Sequence, residues 1–152
     1  MAIRKIIQLG DETLRKKSFE VIQIDEKVIQ LLDDMKDTLF KAKGAGLAAV
    51  QVGMLKRIFI VDVEEGYFEF INPEILSMKG EQYGIEGCLS VKGKWGDVKR
   101  PKEVTVKALD RNGKPFTIKA KDFFAQAVCH ENDHLDGVLY IDSAENLRSN
   151  NQ

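Results

Sequence analysis

Two histidines stand four residues apart near the end of the sequence, and they are the only histidines in the chain. If this segment is helical, His130 and His134 lie one turn apart on the same face, so both imidazoles can point at one metal ion. Glu131 is turned away from that face, which suits a carboxylate that takes a proton from water beside a metal without binding the metal. The pattern H-E-x-x-H therefore predicts a hydrolytic metal centre. The alternative is two ordinary histidines beside a solvated glutamate.

A catalytic metal usually has three protein ligands, so a carboxylate or a thiol must complete the site. The downstream carboxylates are Asp136, Asp142 and Glu145. Of the two thiols, Cys129 lies about 100° around the helix from His130, which makes it an awkward partner for both histidines. Cys88 is the better candidate, because the small Gly87 before it lets the backbone come close. Cys129 is then interpreted as an ordinary buried thiol.

The elements that must position these residues predict an α+β fold. Apolar residues at helical spacing predict a first helix from about residue 25 to residue 43, ending at Gly44. These residues are Val28, Leu31, Leu32, Met35 and Leu39. We interpret their stripe as core, with no role in chemistry.

Four β-rich segments follow this helix and predict antiparallel sheet, because no helix separates them. They span residues 57–63, 67–76, 103–109 and 115–121. The last two flank Asn112-Gly113, which is a hairpin signal. Asp122 is predicted to cap the motif helix and Gly137 to end it. This C-terminal helix must pack against the sheets if Cys88 is to reach the two histidines.

Composition indicates one soluble catalytic domain spanning residues 1–152. The chain has 43% hydrophobic residues, and 23 basic residues against 24 acidic residues give a net charge of -1. This balance gives no reason to expect direct binding to nucleic acid or to an anionic membrane. The sequence contains neither an export signal nor an apolar run of about 20 residues. We therefore expect a cytoplasmic monomer in which both thiols stay reduced, rather than a disulfide between Cys88 and Cys129.

Three segments, in this order and at these separations, resemble the signature motifs of the peptide deformylases. They are "GAGLAAVQ" (Gly44–Gln51), "EGCLS" (Glu86–Ser90) and "HENDH" (His130–His134). The resemblance extends over nearly the whole chain. It implies Fe²⁺ as the metal, with Zn²⁺, Ni²⁺ or Co²⁺ as substitutes. The Cys88 thiol and the imidazoles of His130 and His134 would hold this ion. The resemblance also implies N-formylmethionyl nascent peptides as substrates and formate as a product.

The resemblance also implies roles for individual residues. Glu131 would move the proton of the attacking water, and the Gln51 side chain and the backbone N–H of Leu89 would hold the oxyanion. Glu86 and Arg100 would pair beneath the metal loop. The residues assigned to substrate binding are Ala45, Gly46, Phe123, Gln126 and Ala127.

Some of these inferences also have a basis in the residues themselves. The glycines around Gly46 permit close approach of a peptide strand. Gln51 supplies a neutral donor suited to a developing oxyanion. Asp133, one turn after His130, is predicted to accept an imidazole N–H. Gln126 is polar for a methionine pocket, so either its amide has a partner at the rim or the pocket assignment is off by one residue.

The chain departs from the deformylase pattern at two positions, where Val50 and Lys92 replace prolines. Its tail, residues 143–152, has one basic residue, so any ribosome contact would be transient and would not use a basic C-terminal helix. Two other functions remain open from the sequence. One is a metal-dependent endopeptidase that uses the same helix, and the other is a structural metal site in a catalytically silent binding protein.

Overall fold

The computed structural model describes residues 2–149, and its first long helix, α1, spans Glu26–Ala42. The Asp25 side chain accepts a hydrogen bond from the backbone N–H of Val28 at 3.0 Å and caps the helix start. The helix ends where Lys43 adopts a left-handed conformation with φ of 58°. The predicted helix is confirmed, but its stop lies one residue earlier than Gly44.

Within residues 2–149, eight strands form two sheets. Their pairing is antiparallel, as the sequence predicted. The strands are β1 (Gly46–Ala48), β2 (Ile58–Val63), β3 (Gly66–Lys79), β4 (Gln82–Cys88), β5 (Val91–Arg100), β6 (Glu103–Leu109), β7 (Pro115–Lys121) and β8 (Glu145–Ser149). The five-stranded sheet has the order β1-β2-β3-β6-β7, and the three-stranded sheet has the order β4-β5-β8. Each sheet therefore has an edge strand, β1 or β4, that carries one of the sequence motifs.

The predicted segments correspond to β2, β3, β6 and β7, and the predicted hairpin joins β6 to β7. Gly113 has a φ of 79° in its turn, and Asp110 Oδ1 accepts from the N–H of Asn112 at 2.9 Å and of Lys114 at 3.0 Å. The sequence did not predict β1, β4, β5 or β8. Strands β4 and β5 each contain two glycines, and β5 also has three exposed lysines, which obscure the alternation that marks a strand.

The motif helix, α2, spans Phe123–His134. The prediction that Asp122 caps it was wrong: this residue has a φ of 58°, makes no capping bond and pairs with Lys102 at 2.8 Å. The helix ends at His134, earlier than the predicted stop at Gly137, which lies in the turn that follows and has a φ of 74°. A side chain at this position would also collide with the backbone of Arg15, so both conformation and space favour glycine.

The five-stranded sheet lies between the two helices. Side chains alternate along each strand, so each face of the sheet packs against a different helix. Phe59 and Val61 of β2 face the cluster that contains the apolar residues of α2, while Ile58 and Ile60 face the cluster that contains those of α1. The helix that carries both histidines is thus held by the central core of the protein. Among residues 2–149, no helix is both long enough and apolar enough to cross a membrane.

The three-stranded sheet packs around Tyr140, which belongs to a short 3-10 helix, Tyr140–Asp142. Its hydroxyl donates to the carbonyl oxygen of Lys94 at 3.0 Å, and its ring stacks on His130 with centroids 5.9 Å apart. Strand β8, residues 145–149, pairs with β5. Residues 150–152 lie outside the described range. Residues 145–149 therefore belong to the same sheet as Cys88.

Candidate active site

The structure brings Cys88, His130 and His134 together. One ligand atom from each residue lies within 4.8 Å of the others, and Cys88 Sγ is 3.4 Å from His134 Nε2. The two imidazoles come from one face of α2, as the spacing predicted. Cys88 comes from the end of β4, where the register with β5 shifts after Gly87. This shift ends the regular pairing at the point where the thiol meets the helix.

Cys129 lies away from this cluster. Its side chain is buried among the residues that pack on the five-stranded sheet, and burial raises the pKa of its thiol to about 11. Both cysteines are free, so the alternative of a disulfide between Cys88 and Cys129 was wrong.

The downstream carboxylates also have other partners or positions. Asp136 pairs with Arg57 at 3.1 Å, and Asp142 pairs with Arg15 at 2.7 Å. Glu145 is exposed at the start of β8. The structure therefore brings none of these three to the ligand cluster.

A buried ion pair between Glu86 and Arg100 contacts His130. Glu86 Oε1 lies 2.8 Å from His130 Nδ1, and Arg100 contacts both oxygens of Glu86 at 2.8 Å. Burial opposes ionisation of Glu86, but the bonds to Arg100 and His130 outweigh it and lower its pKa. The prediction for Asp133 was wrong, because this carboxylate contacts Arg100 at 2.7 Å instead of an imidazole.

The two imidazoles differ in their electrostatics. Burial lowers the pKa of His134 well below its usual range, so this ring stays neutral with a free lone pair. Burial also opposes protonation of His130, but Cys88, Glu131 and Glu86 outweigh it and raise the pKa well above the usual value. The site therefore favours a positive charge at His130, which a metal ion can supply in place of a proton. The donor set fits a divalent transition metal.

Glu131 is buried beside the cluster. Burial raises the pKa of its carboxyl to about 7. Its Oε1 atom is buried and has no hydrogen-bond partner within residues 2–149. Gly46 packs directly on this carboxylate, since a Cβ atom added there would lie 2.6 Å from Oε2. Glu131 Oε2 lies 3.9 Å from His130 Nε2, so the carboxylate adjoins the ligand cluster. A buried carboxylate with an unpartnered oxygen at such a place is the arrangement expected for a group that acts on water or substrate.

Gln51 reaches the same place from a 3-10 helix, Ala49–Val52, that follows β1. Its Oε1 accepts from the N–H of Ala48 at 2.9 Å, which fixes which end of the amide carries the hydrogens. Its Nε2 donates to Ser90 Oγ at 3.0 Å and lies 3.6 Å from Cys88 Sγ. The sequence analysis missed Ser90 as a partner, although this residue closes the "EGCLS" motif.

A cavity of about 340 Å³ opens beside these groups. All five residues assigned to substrate binding line it, together with Gln51, Leu89 and Glu131. The Gln126 amide has its partner at the rim, because Nε2 donates to the carbonyl oxygen of Ile85 at 3.2 Å. The sequence analysis missed three lining residues: Gly44, Ile85 and Gly87. Recognition of β4 as a strand beside the motif helix would have indicated Ile85.

The two departures from the deformylase pattern lie in different environments. Val50 is fully buried in the 3-10 helix and packs in the core that contains α2. Lys92 is exposed near the start of β5. Neither residue lines the cavity. Both changes therefore leave the ligand cluster and the cavity wall in place.

A family model described as "Polypeptide deformylase" matches residues 3–150. The chain belongs to the polypeptide deformylase family. A peptide deformylase of Caldicellulosiruptor bescii is 54% identical over 142 residues, which cover 93% of this chain and 86% of that protein. The protein named peptide deformylase 1 of Clostridium acetobutylicum is 50% identical over 150 residues, covering 99% of this chain and 100% of that protein.

Solved deformylase structures share the fold. A peptide deformylase from Legionella pneumophila superposes with a TM-score of 0.91 at 44% identity, covering 95% of this chain and 87% of that chain. One from Synechococcus elongatus, solved in complex with actinonin, has a TM-score of 0.89 at 39% identity and covers 93% of this chain and 78% of that chain. The α+β fold of this polypeptide deformylase is thus the fold of its relatives.

Proposed function

We propose that this deformylase removes the formyl group from N-formylmethionyl peptides of newly made proteins and releases formate. The observation that carries the proposal is the position of Glu131, a buried carboxylate whose Oε2 lies 3.9 Å from His130 Nε2 and whose Oε1 has no hydrogen-bond partner among residues 2–149. Three ligands with an adjoining proton acceptor form a hydrolytic site, whereas a closed structural site has no use for the acceptor.

Cys88, His130 and His134 would hold the metal ion. A divalent metal bound there supplies Lewis acidity and makes water acidic enough to react near neutral pH. Glu86 fixes the ring of His130 through Nδ1, so that Nε2 is the atom left for the metal. The protein's contribution is therefore an oriented set of metal ligands.

Glu131 accepts the proton of the attacking water and returns it to the nitrogen of the leaving peptide. Burial raises the pKa of its carboxyl, which makes the carboxylate a stronger proton acceptor than an exposed glutamate. The buried surroundings also keep bulk water from competing for the proton.

Gln51 and Leu89 hold the oxygen of the formyl group as it gains negative charge. The Gln51 amide is oriented by Ala48 and Ser90 so that Nε2 faces Cys88. Leu89 follows Cys88 directly and lines the same cavity, which supports a role for its backbone N–H. Both donors are neutral, so they stabilise an oxyanion without opposing the charge of the metal.

The cavity accepts the methionine side chain of the substrate, with Ala45, Gly46, Phe123, Gln126 and Ala127 as its contacts. The peptide that follows the methionine lies between β1 and β4, which are edge strands of the two sheets on opposite sides of the cavity. Edge strands offer unpaired backbone groups to an extended peptide.

Formate release separates this function from the two alternatives. The metal-loaded protein is incubated with a formyl-Met-Ala-Ser peptide and with a matched peptide in which acetyl replaces formyl. We expect formate and a free amino terminus from the first peptide and no cleavage of any internal bond. Cleavage inside the chain would indicate an endopeptidase, and no turnover by metal-loaded protein would indicate a silent binding site.

Fe²⁺ is our proposed working metal, with Zn²⁺, Ni²⁺ or Co²⁺ able to replace it. An open ferrous site with a thiolate ligand should be sensitive to oxygen, which oxidises first the iron and then Cys88. Protein prepared anaerobically with iron should therefore lose activity in air, while the nickel form keeps it. An iron form that is stable in air with unmodified Cys88, or a zinc form of equal rate, would contradict this choice.

We also propose that residues 1–152 act as one catalytic domain, as a monomer in the cytoplasm. Contact with the ribosome would be transient, since residues 145–149 form a strand of the three-stranded sheet. Sedimentation of the metal-loaded protein at micromolar concentration tests the monomer, which a dimer mass would contradict.

A further inference from the structure

The N-terminal segment, residues 2–9, contains neither helix nor strand, but hydrogen bonds fix its path. At its start, the backbone N–H of Ala2 donates to Asp34 at 2.9 Å and the N–H of Arg4 donates to Thr38 at 2.9 Å. Both acceptors belong to α1. The segment is therefore anchored on a core helix before it reaches the active site.

Three consecutive residues at the end of this segment donate hydrogen bonds to the active-site motifs. The bonds run from Ile7 N–H to Gln51 O (2.7 Å), from Gln8 Nε2 to Leu89 O (2.9 Å) and from Leu9 N–H to Ser90 O (2.7 Å). The acceptors lie on two elements. One is the 3-10 helix that follows β1 of the five-stranded sheet, and the other is the turn between β4 and β5 of the three-stranded sheet. The segment thus joins the two parts of the site that supply the proposed oxyanion donors.

Of these three bonds, only the one from Gln8 depends on a side chain. Its Nε2 atom also donates to the carbonyl oxygen of Ile6, at 3.3 Å. Both amide hydrogens are therefore used, one within the segment and one across to the turn. Gln8 does not line the cavity, so any effect on the reaction must act through Leu89.

Leu89 needs this support because it lies in a tight turn. Cys88 pairs with Val91, so Leu89 and Ser90 are the two residues that connect β4 to β5. The side chain of Leu89 packs beside Gly44, where an added Cβ atom would lie 2.9 Å from Leu89 Cδ1. The Gln8 amide fixes the carbonyl of the same residue. These two contacts, with the bond from Leu9 N–H to Ser90 O, hold the rotation of the turn about its strands.

We propose that Gln8 is a positioning residue for the reaction. By holding the carbonyl of Leu89, it fixes the rotation of the turn and with it the direction of the Leu89 N–H. This inference rests on the proposed function, in which that N–H stabilises the oxyanion. A donor that serves mainly the transition state affects kcat more than KM when it is misdirected.

The test compares Gln8→Met, which keeps the length of the side chain and removes its donor, with wild type as nickel-loaded proteins. Gln8→Asn is a second variant that stays polar but is too short to reach Leu89. Gln23→Met, at an exposed glutamine after the same segment, is the control. For each protein, kcat, KM, bound metal and the rate of amide hydrogen exchange in residues 88–91 are measured.

Both Gln8 variants should lose roughly tenfold in kcat, because a displaced donor retains part of its effect, while KM changes by less than about twofold. Their bound metal should equal that of wild type, and exchange in residues 88–91 should be faster. Gln23→Met should match wild type throughout. Unchanged kcat, unchanged exchange, or a kcat loss that parallels metal loss would overturn the proposal. A wild-type protein that releases no formate would instead refute the deformylase function, while the exchange rates would still report whether Gln8 holds the turn.

Discussion

Nδ1 of His130 lies 2.8 Å from Oε1 of Glu86, in a part of the site that is closed to solvent. In the proposed metal site, this contact orients the ligand His130 through a carboxylate that is not itself a ligand. Glu86→Ala should therefore lower metal affinity by about 10–100-fold, the usual cost of removing such a partner. Chelator competition measures the change.

Asp133→Asn is the matched control for Glu86→Ala. Asp133 contacts Arg100 at 2.7 Å but does not contact the imidazole. The Asn variant should keep metal affinity close to that of wild type. Equal losses in the two variants would mean that overall charge, rather than the contact with His130, supports the metal.

Arg100 is predicted to matter more for stability than for the reaction. It is buried and contacts both oxygens of Glu86, so Arg100→Met leaves a carboxylate buried without its main partner. The free energy of unfolding should fall by about 3–5 kcal/mol. Urea denaturation measures it, with Lys99→Met as the control, since Lys99 pairs with Glu81 at the surface and should change little. A loss below about 1 kcal/mol for Arg100→Met would contradict the prediction.

The two cysteines should differ in reactivity once the metal is removed. Cys129 is buried and has a pKa of about 11, so only roughly a thousandth of it is thiolate at pH 8. Iodoacetamide should therefore label Cys88 in the folded metal-free protein and leave Cys129 unmodified, as mass spectrometry of peptides would detect.

Cys129→Ser should keep both metal and activity. Release of metal from this variant, with metal retained in Cys88→Ala, would mean that the wrong thiol has been assigned.

Gly46→Ala tests the close contact between β1 and Glu131. The added methyl group would lie 2.6 Å from Glu131 Oε2, so the carboxylate must move. We expect kcat to fall at least roughly tenfold while the metal is retained. Gly87→Ala is the control within the same cavity, because its Cβ atom would meet nothing closer than Lys94 O at 3.5 Å. Similar losses in both variants would argue against a specific effect on Glu131.

The sequence predicted those parts of the fold that depend on short-range patterns. The apolar spacing from Val28 to Leu39 predicted α1, and Asn112-Gly113 predicted the β6–β7 hairpin, because both signals lie within the element that they form. The capping prediction for Asp122 was wrong because its side chain pairs with Lys102 across the loop. Local propensity does not include such a contact.

The candidate site, like the fold, was predictable where it depends on short-range spacing. The spacing of His130 and His134 determines that they share a helix face. Cys88 was preferred because Cys129 is turned away from the histidines on the helix and Gly87 leaves room for the backbone, and the family resemblance agreed with this choice. No local rule joins a strand end to a helix that lies some 40 residues away, so spacing alone did not predict the contact. The contact of Asp133 with Arg100 and the bond from Gln8 to Leu89 were not foreseen, since side-chain partners across the fold leave no periodic signal.

The most direct test of the account is a side-by-side measurement of formate release and bound metal for wild type and Glu131→Gln. Glu131 is proposed to move protons without binding the metal, and glutamine keeps its shape while removing that ability. We predict that the variant keeps one metal ion per chain and loses at least about 10²-fold in turnover of formyl-Met-Ala-Ser. A variant that turns over at the wild-type rate, or one that loses its metal together with its activity, would contradict the role assigned to Glu131.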